Sequence, residues 1–368
     1  MITKVFRLVS DYWYMRKLFL QLPEKKSINK KIVFNTIKVD PTTFAYEVFM
    51  AAVLSKEGAT TYNIIDDGVF EHIDQIQVFQ TNSEFKNIKQ NDSIKGRISF
   101  FLLVSLSKFA FGKHVNFIKT SEIKFEEKDV ESKEFDSIVV SSARRFFKTP
   151  FLDRANKNVN DYYKLCYKVC EKSHQIGLYI ENVLNADKLI TSHGIYSTWA
   201  PCFNYIKHNT DIGIQIYGQL GHKKKEMLVA DERLQLLGGT KDILNFISKK
   251  LNRNQKETIL NYFDKRISLK TEDAKIYYKE IYDEVNFVSV GKVYAAFPNV
   301  ITEADIAERH HIFEHTIDWL LSTIEVFKKD SSNTLVIRCH PAEATMNKSK
   351  LSVEKELYRL CPELDSIK

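Results

Sequence analysis

The sequence predicts an α/β protein built as two successive domains, and three observations predict it. Short apolar runs rich in β-branched residues alternate with stretches of helical periodicity. The alternation opens as strand, helix and strand, the order of a parallel, right-handed βαβ unit. It lapses over a long charged region and resumes near residue 288.

The first strand is the run from Lys30 to Ile37. Pro41 then enters a helix carrying Phe44, Val48, Met50 and Ala51, because proline suits the first helical position, where no N–H is needed. Ala59 to Asp66 is the second strand. Residues 83–112 read as helical; within them the longest apolar run, Ile98 to Gly112, includes Ser105, Ser107 and Lys108. That run is too short and polar to span a bilayer, so a buried helix is expected. Asp136 to Val140 reads as a β-rich segment. Residues 159–184 read as a helix with Tyr162, Leu165, Cys166, Val169 and Ile176 on one face. Leu189 to Tyr196 is a strand running into a glycine turn, Trp199 to His208 a helix, and Ile212 to Tyr217 the next strand. Residues 222–285 read as charged and helical, without a strand. Val288 to Asn299 opens the second series, followed by an amphipathic helix from His311 to Lys328, the strand at Leu335, and a helix from Val353 to Leu360. The domains expected are therefore 1–280 and 281–368. The second falls short of the roughly 100–150 residues of a doubly wound domain, which predicts a truncated one.

The 54 basic and 47 acidic side chains give a formal charge of +7, an excess that suits anionic ligands or an anionic membrane surface. Lysines are scattered, without a basic stripe interleaved with aromatics, so no nucleic-acid partner is expected. The five cysteines, Cys166, Cys170, Cys202, Cys339 and Cys361, read as reduced thiols of a cytoplasmic protein. Cys166 and Cys170 are spaced i, i+4, but no second pair matches them as metal ligands, and no metal is expected. The first residues lack the apolar core and cleavage site of a signal peptide.

Three strand ends carry candidate chemistry. In Thr334-Leu-Val-Ile-Arg-Cys-His-Pro341, Arg338 and His340 sit where an open α/β sheet binds ligands; the same pattern fits a histidine that merely finishes a loop. Asp66-Asp67-Gly68 puts adjacent carboxylates at the end of the second strand, and their repulsion raises one pKa towards that of a general base; an ordinary Asp-Gly turn looks the same. In Thr191-Ser-His-Gly-Ile-Tyr-Ser-Thr198, a helix N-terminus capped by Ser197 or Thr198 can hold an anion or simply end a helix. Lys223-Lys-Lys225 reads as a solvated charge run. No G-x-x-x-x-G-K-[ST], G-x-G-x-x-G, G-x-S-x-G or H-E-x-x-H pattern occurs, which disfavours ATPase, dinucleotide-dependent dehydrogenase, α/β-hydrolase and zincin chemistry.

The order Asp66-Asp67-Gly68, His193-Gly194-Ile195-Tyr196, Phe297-Pro298-Asn299-Val300, Trp319-Leu320 and Ile337-Arg338-Cys339-His340-Pro341-Ala342-Glu343 resembles the bacterial capsule polysaccharide biosynthesis glycosyltransferases. These are GT-B enzymes related to Kdo transferases and to bacterial sialyl- and polysialyltransferases. The resemblance implies a GT-B-like fold of two Rossmann-like domains facing a cleft, the C-terminal one incomplete. It lacks the family's Ser/Thr-rich phosphate-binding motif after His-Pro. It implies an inverting, metal-independent transferase of capsule or lipopolysaccharide synthesis using a CMP-activated acidic sugar, with no cofactor besides that donor. The implied partners are the nucleotide sugar and a polysaccharide or glycolipid acceptor, met in the cytoplasm with peripheral contact at the inner membrane. By position, Asp67, or less directly Asp66, is the general base, and His340 contacts the donor phosphate. Arg338, Pro341, Glu343 and Asn299 join His340 in donor binding, while His193, Gly194 and Ser197 lie on the acceptor side. Two other readings stay open: a sugar-nucleotide-processing enzyme such as an epimerase, and a non-catalytic subunit of the assembly machinery.

Overall fold

A computed structural model describes residues 2–25, 28–37, 41–74, 94–126, 132–147, 151–192, 194–220, 226–230, 252–268, 291–300, 312–313, 315–329, 332–340 and 352–366, with single positions 149, 270, 289 and 343. The chain divides into two compact units. The first comprises Met1–Gln77, Glu84–Ala143 and Arg154–Thr240; the second comprises Val78–Ser83, Arg144–Asp153 and Lys241–Lys368. The boundary expected near residue 280 lies outside the described residues.

The first unit is α/β. Helix α1 (Ile2–Gln21) precedes β1 (Lys31–Asn35), α2 (Pro41–Lys56), β2 (Thr60–Ile65), α3 (Ile94–Phe111) and β3 (Phe117–Lys119). Then come α4 (Asp136–Phe147), α5 (Lys157–Tyr179), β4 (Lys188–Thr191), α6 (Ala200–Asn209), β5 (Gly213–Leu220) and β6 (Glu226–Ala230). The sheet order is β3-β2-β1-β4-β5-β6. The first five strands are mutually parallel, and β6 closes the edge antiparallel to β5. Successive side chains of a strand point to opposite faces, so each face needs its own helices. Val33, Ile64, Ile118 and Leu189 pack with Val169 and Ile176 of α5 and Cys202 and Ile206 of α6. On the other face, Ile32, Phe34 and Ile190 meet Ala51 of α2, and Ile65 joins α1, α2 and α3 through Tyr12, Phe44 and Leu103.

The βαβ start, the Pro41 helix, and the strands and helices expected near 189, 200 and 213 occur close to the predicted bounds. Five elements differ. Asp136–Phe147 is a helix, not a β-rich segment: Phe135, Ile138, Val139, Ser142 and Ala143 are buried at the i, i+3, i+4, i+7, i+8 spacing of one helical face. That periodicity outlasts the three β-branched residues, and Asp136 suits the positive helix N-terminus. The charged region holds β6, paired from Ile216↔Ala230 to Leu220↔Glu226; its short run Met227 to Val229 is masked by the lysines before it. Helix α1 and the three-residue β3 were unanticipated. Finally, α3 is buried on one side only, with Phe101 and Phe109 exposed. Among the described residues, no helix is long and apolar enough to cross a membrane.

In the second unit, α7 (Arg253–Ile267) is followed by β7 (Val293–Ala296), α8 (Thr316–Lys329), β8 (Thr334–Ile337) and α9 (Val353–Leu360). β7 and β8 pair in parallel, from Val293↔Thr334 to Ala296↔Ile337. Their helices close a separate core of Ile317, Leu320, Ile324, Val353 and Leu357.

Candidate functional site

Strand order reverses beside β1: one branch of the sheet runs through β2 to β3, the other through β4 to β5. At such a switch point, loops diverge over the carboxyl ends of the strands and leave room for a ligand. Continuing the Phe34↔Ile190 register sets Asn35 opposite Thr191 on the α5/α6 face. Both are buried, and the Asn35 amide lies against the Cys202 thiol. The Thr36 and Thr191 hydroxyls find no hydrogen-bond partner among the described residues.

Next along this edge, β2 ends in Asp66, Asp67 and Gly68. Gly68 has φ +113°, a left-handed value that glycine adopts without strain. The turn it allows brings the amides of Val69 and Phe70 to Asp66 Oδ1 at 3.0 and 3.1 Å, and Thr120 Oγ1 donates to the same oxygen at 2.7 Å. Asp66 thus builds the turn. Burial raises its pKa, partly offset by Thr120 and the amides of Phe70, Val69 and Gly68.

Asp67 is tied differently. Ser121 N donates to its Oδ1 at 3.0 Å, Ser121 Oγ to its Oδ2 at 2.6 Å, and Thr120 Oγ1 stands 3.1 Å from Oδ1. Burial works to raise its pKa, but the bonds from Ser121 and Thr120 together outweigh it, so the net direction is down. The adjacent pair does split, because burial dominates at Asp66 and hydrogen bonding to the charged form dominates at Asp67. The raised group is the turn builder, and the lowered one is the more open.

The loop between β4 and α6 is closed upon itself. Gly194 has φ +55°, and a Cβ there would stand 2.9 Å from the Phe203 ring, so glycine is needed twice over. Ser197 and Thr198 do hold an anion at the head of α6, but it is the chain's own Asp74. Asp74 Oδ2 accepts from Ser197 Oγ at 2.5 Å, Thr198 N at 3.0 Å and Thr198 Oγ1 at 3.0 Å. The Asp74 amide returns a bond to Thr198 Oγ1 at 2.8 Å. His72 Nε2 stands 3.6 Å from Asp74 Oδ1 and 3.1 Å from Tyr162 OH. Burial works to raise the Asp74 pKa, but His72, Ser197 and Thr198 outweigh it and bring it to about 2. Ser142 Oγ accepts from Ser197 N at 2.9 Å, and Ser173 Oγ donates to the Thr198 carbonyl at 2.9 Å. Ser197 is fully buried. Its hydroxyl donates to Asp74, so within the described residues it serves the α6 loop.

Sequence reasoning missed His72 and Asp74. They follow β2 in no recognisable motif, and Asp74 meets Ser197 across 123 positions. The one available signal was the hydroxyl-rich helix start, which announced an anion site without saying that the anion would be internal.

In the second unit, the parallel register sets Phe297-Pro298-Asn299 and Arg338-Cys339-His340 at the same carboxyl edge, and the Arg338 amide extends the ladder to the Ala296 carbonyl at 2.9 Å. Asn299 and Arg338 are exposed and His340 is half-buried. Glu343 is buried, and its Oε2 accepts from Val353 N at 3.0 Å, while Ser352 Oγ accepts from Lys355 N at 3.2 Å. Glu343 thus accepts a bond from the first turn of α9. His193, Pro341 and Lys223–Lys225 lie outside the described residues. No group of three or more potential metal ligands occurs among the described residues.

No protein-family model matches the chain, and neither a curated protein nor a solved structure matches it.

Proposed function

We propose that the chain is an inverting glycosyltransferase of GT-B type, acting without a metal in the cytoplasm and transferring a CMP-activated acidic sugar to a growing surface glycan. What supports this reading is that each of the two α/β units carries charged groups at the carboxyl ends of parallel strands: Asp67 beyond β2 and Arg338 with His340 beyond β8. The two sets suit opposite halves of one displacement. Asp67 is ionised across the physiological range and accepts the proton of the acceptor hydroxyl as its oxygen attacks the anomeric carbon. The bond from that carbon to the phosphate oxygen breaks, and the electron pair leaves with the nucleoside monophosphate. Arg338 and His340 offset the charge that develops there. Asp66 supports the reaction by holding the turn.

Binding and catalysis test this separately. CMP, or a CMP-linked acidic sugar, is expected to raise the melting temperature of the chain. If neither CMP- nor UDP-linked sugars do so at millimolar concentration, the donor assignment fails. Asp67→Ala and His340→Ala are each expected to abolish transfer without unfolding the chain, and near-normal turnover by either removes that residue from the mechanism.

A further inference from the structure

We infer that the outer faces of α1 and α3 form a docking surface for an anionic phospholipid bilayer. The two helices lie side by side. Tyr12 OH is 2.8 Å from Ser107 Oγ, and the Phe19 ring packs 5.4 Å from that of Phe111 and 5.3 Å from that of His114. The contacts advance together along both helices, so the pair runs parallel. Its inner face is core: Tyr12, Met15, Phe19, Leu103, Ala110 and Phe111 are buried together.

The outer face is not the polar surface expected of a helix pair facing water. Trp13 is 63% exposed, Leu20 62%, Phe101 73% and Phe109 63%. Large apolar groups this open mark a place of contact. Two of them are joined across the helices, because the Arg16 guanidinium lies 5.8 Å from the Trp13 ring centre and 4.8 Å from that of Phe109. On α1, Trp13, Lys17 and Leu20 fall at i, i+4 and i+7, along one line.

The charges around this face decide its occupant. Lys17, Lys108 and Lys113 are exposed beside it. Among the described residues of the two helices and the turn after α1, the acidic side chains are Asp11, partly buried, and Glu24, which stands 3.6 Å from His114 Nε2. A face so dominated by one sign of charge repels a second copy of itself. It complements a surface that is apolar within and anionic above. Aromatic rings settle at the acyl boundary, while lysine and arginine stems carry their charges up to headgroup phosphates. With no membrane-crossing helix among the described residues, the contact places α1 and α3 in the plane of the surface. This inference stands apart from the transferase reading, since it uses no residue of the proposed reaction.

The full chain should be spun with vesicles of phosphatidylcholine alone and with vesicles containing phosphatidylglycerol at about one part in three. Binding is expected to the anionic vesicles, weakening as salt rises. The Trp13→Ser/Phe109→Ser double variant is expected to lose at least about tenfold in partitioning. Lys17→Gln/Lys108→Gln is expected to lose about fivefold per charge removed. Because these side chains are exposed, the melting temperature should hold; if the aromatic pair proves destabilising, Phe101→Ser replaces it in the same assay. Absence of binding at low salt, equal binding by the variants, or a wild-type dimer that the aromatic variant splits into monomers would each overturn the proposal.

Discussion

Asp67 and Asp74 lie in the same unit, seven positions apart, and both have lowered pKa values, yet their environments are opposite. Asp74 is enclosed, and its carboxylate is consumed by hydroxyls and an amide at the head of α6. Asp67 is held by Ser121, just beyond β3, and stays open on one side. A lowered carboxylate pKa records hydrogen bonding to the charged form, whatever that bonding serves. Access separates a group that can do chemistry from one that finishes a helix, and it argues for Asp67 over Asp74 as the reacting carboxylate.

The largest effect that could break this comparison is on turnover. Replacing Asp67 by Ala should cost about 10²–10⁴-fold in kcat, the usual contribution of a general base, with little change in thermal stability. The reverse is expected of Asp74→Ala. Losing the anion strands Ser197 and Thr198 in the interior, at about 3 kcal/mol or more of stability, visible as a lowered urea midpoint. The molecules that remain folded should keep their turnover. If Asp74→Ala melts like the wild type, the closed site is not what secures the α6 loop.

Acid titration sharpens the contrast. The folded pKa of Asp74, about 2, lies below its unfolded value of about 3.9. Its contribution, about 2–3 kcal/mol, is therefore fully present above the unfolded value and lost as pH falls through the folded one. Activity should titrate independently. With Asp67 as base, the acid limb of kcat/KM lies below the ordinary carboxylate range, because its pKa is lowered. A limb above that range would transfer the role to Asp66, whose pKa is raised. The smallest effect is expected in the second unit, where Glu343 holds the head of α9 much as Asp74 holds that of α6. Glu343→Ala should cost about 0.5–2 kcal/mol, a capping loss, and leave donor affinity unchanged.

Much of the sheet was legible in the sequence because local chemistry specifies it. Pro41 marks the start of α2, and β-branched runs mark β1, β2, β4 and β8. Regions that depend on distant partners were not legible. Asp136–Phe147 resembles a strand until its buried face is counted over three turns, and β6 is a strand because β5 lies beside it. At the candidate site, residue types and strand-end positions could be read for Asp66, Asp67, Arg338 and His340. The occupation of Ser197 and Glu343 by internal partners could not, since each depends on a contact that no local pattern encodes.

The centre of the sheet also bears on how the chain folds. β1 pairs on one side with β2, only 29 positions on at Lys31↔Thr60. On the other side it pairs with β4, where Lys31 N donates to Asp187 Oδ2 at 2.7 Å across 156 positions, and Asp187 N returns a bond to the Lys31 carbonyl at 2.9 Å. Closing the longer loop costs more chain entropy before any contact rewards it. Asp187 thus stands at the junction between a half-sheet built from strands near in the chain and one whose strand must arrive from far along it.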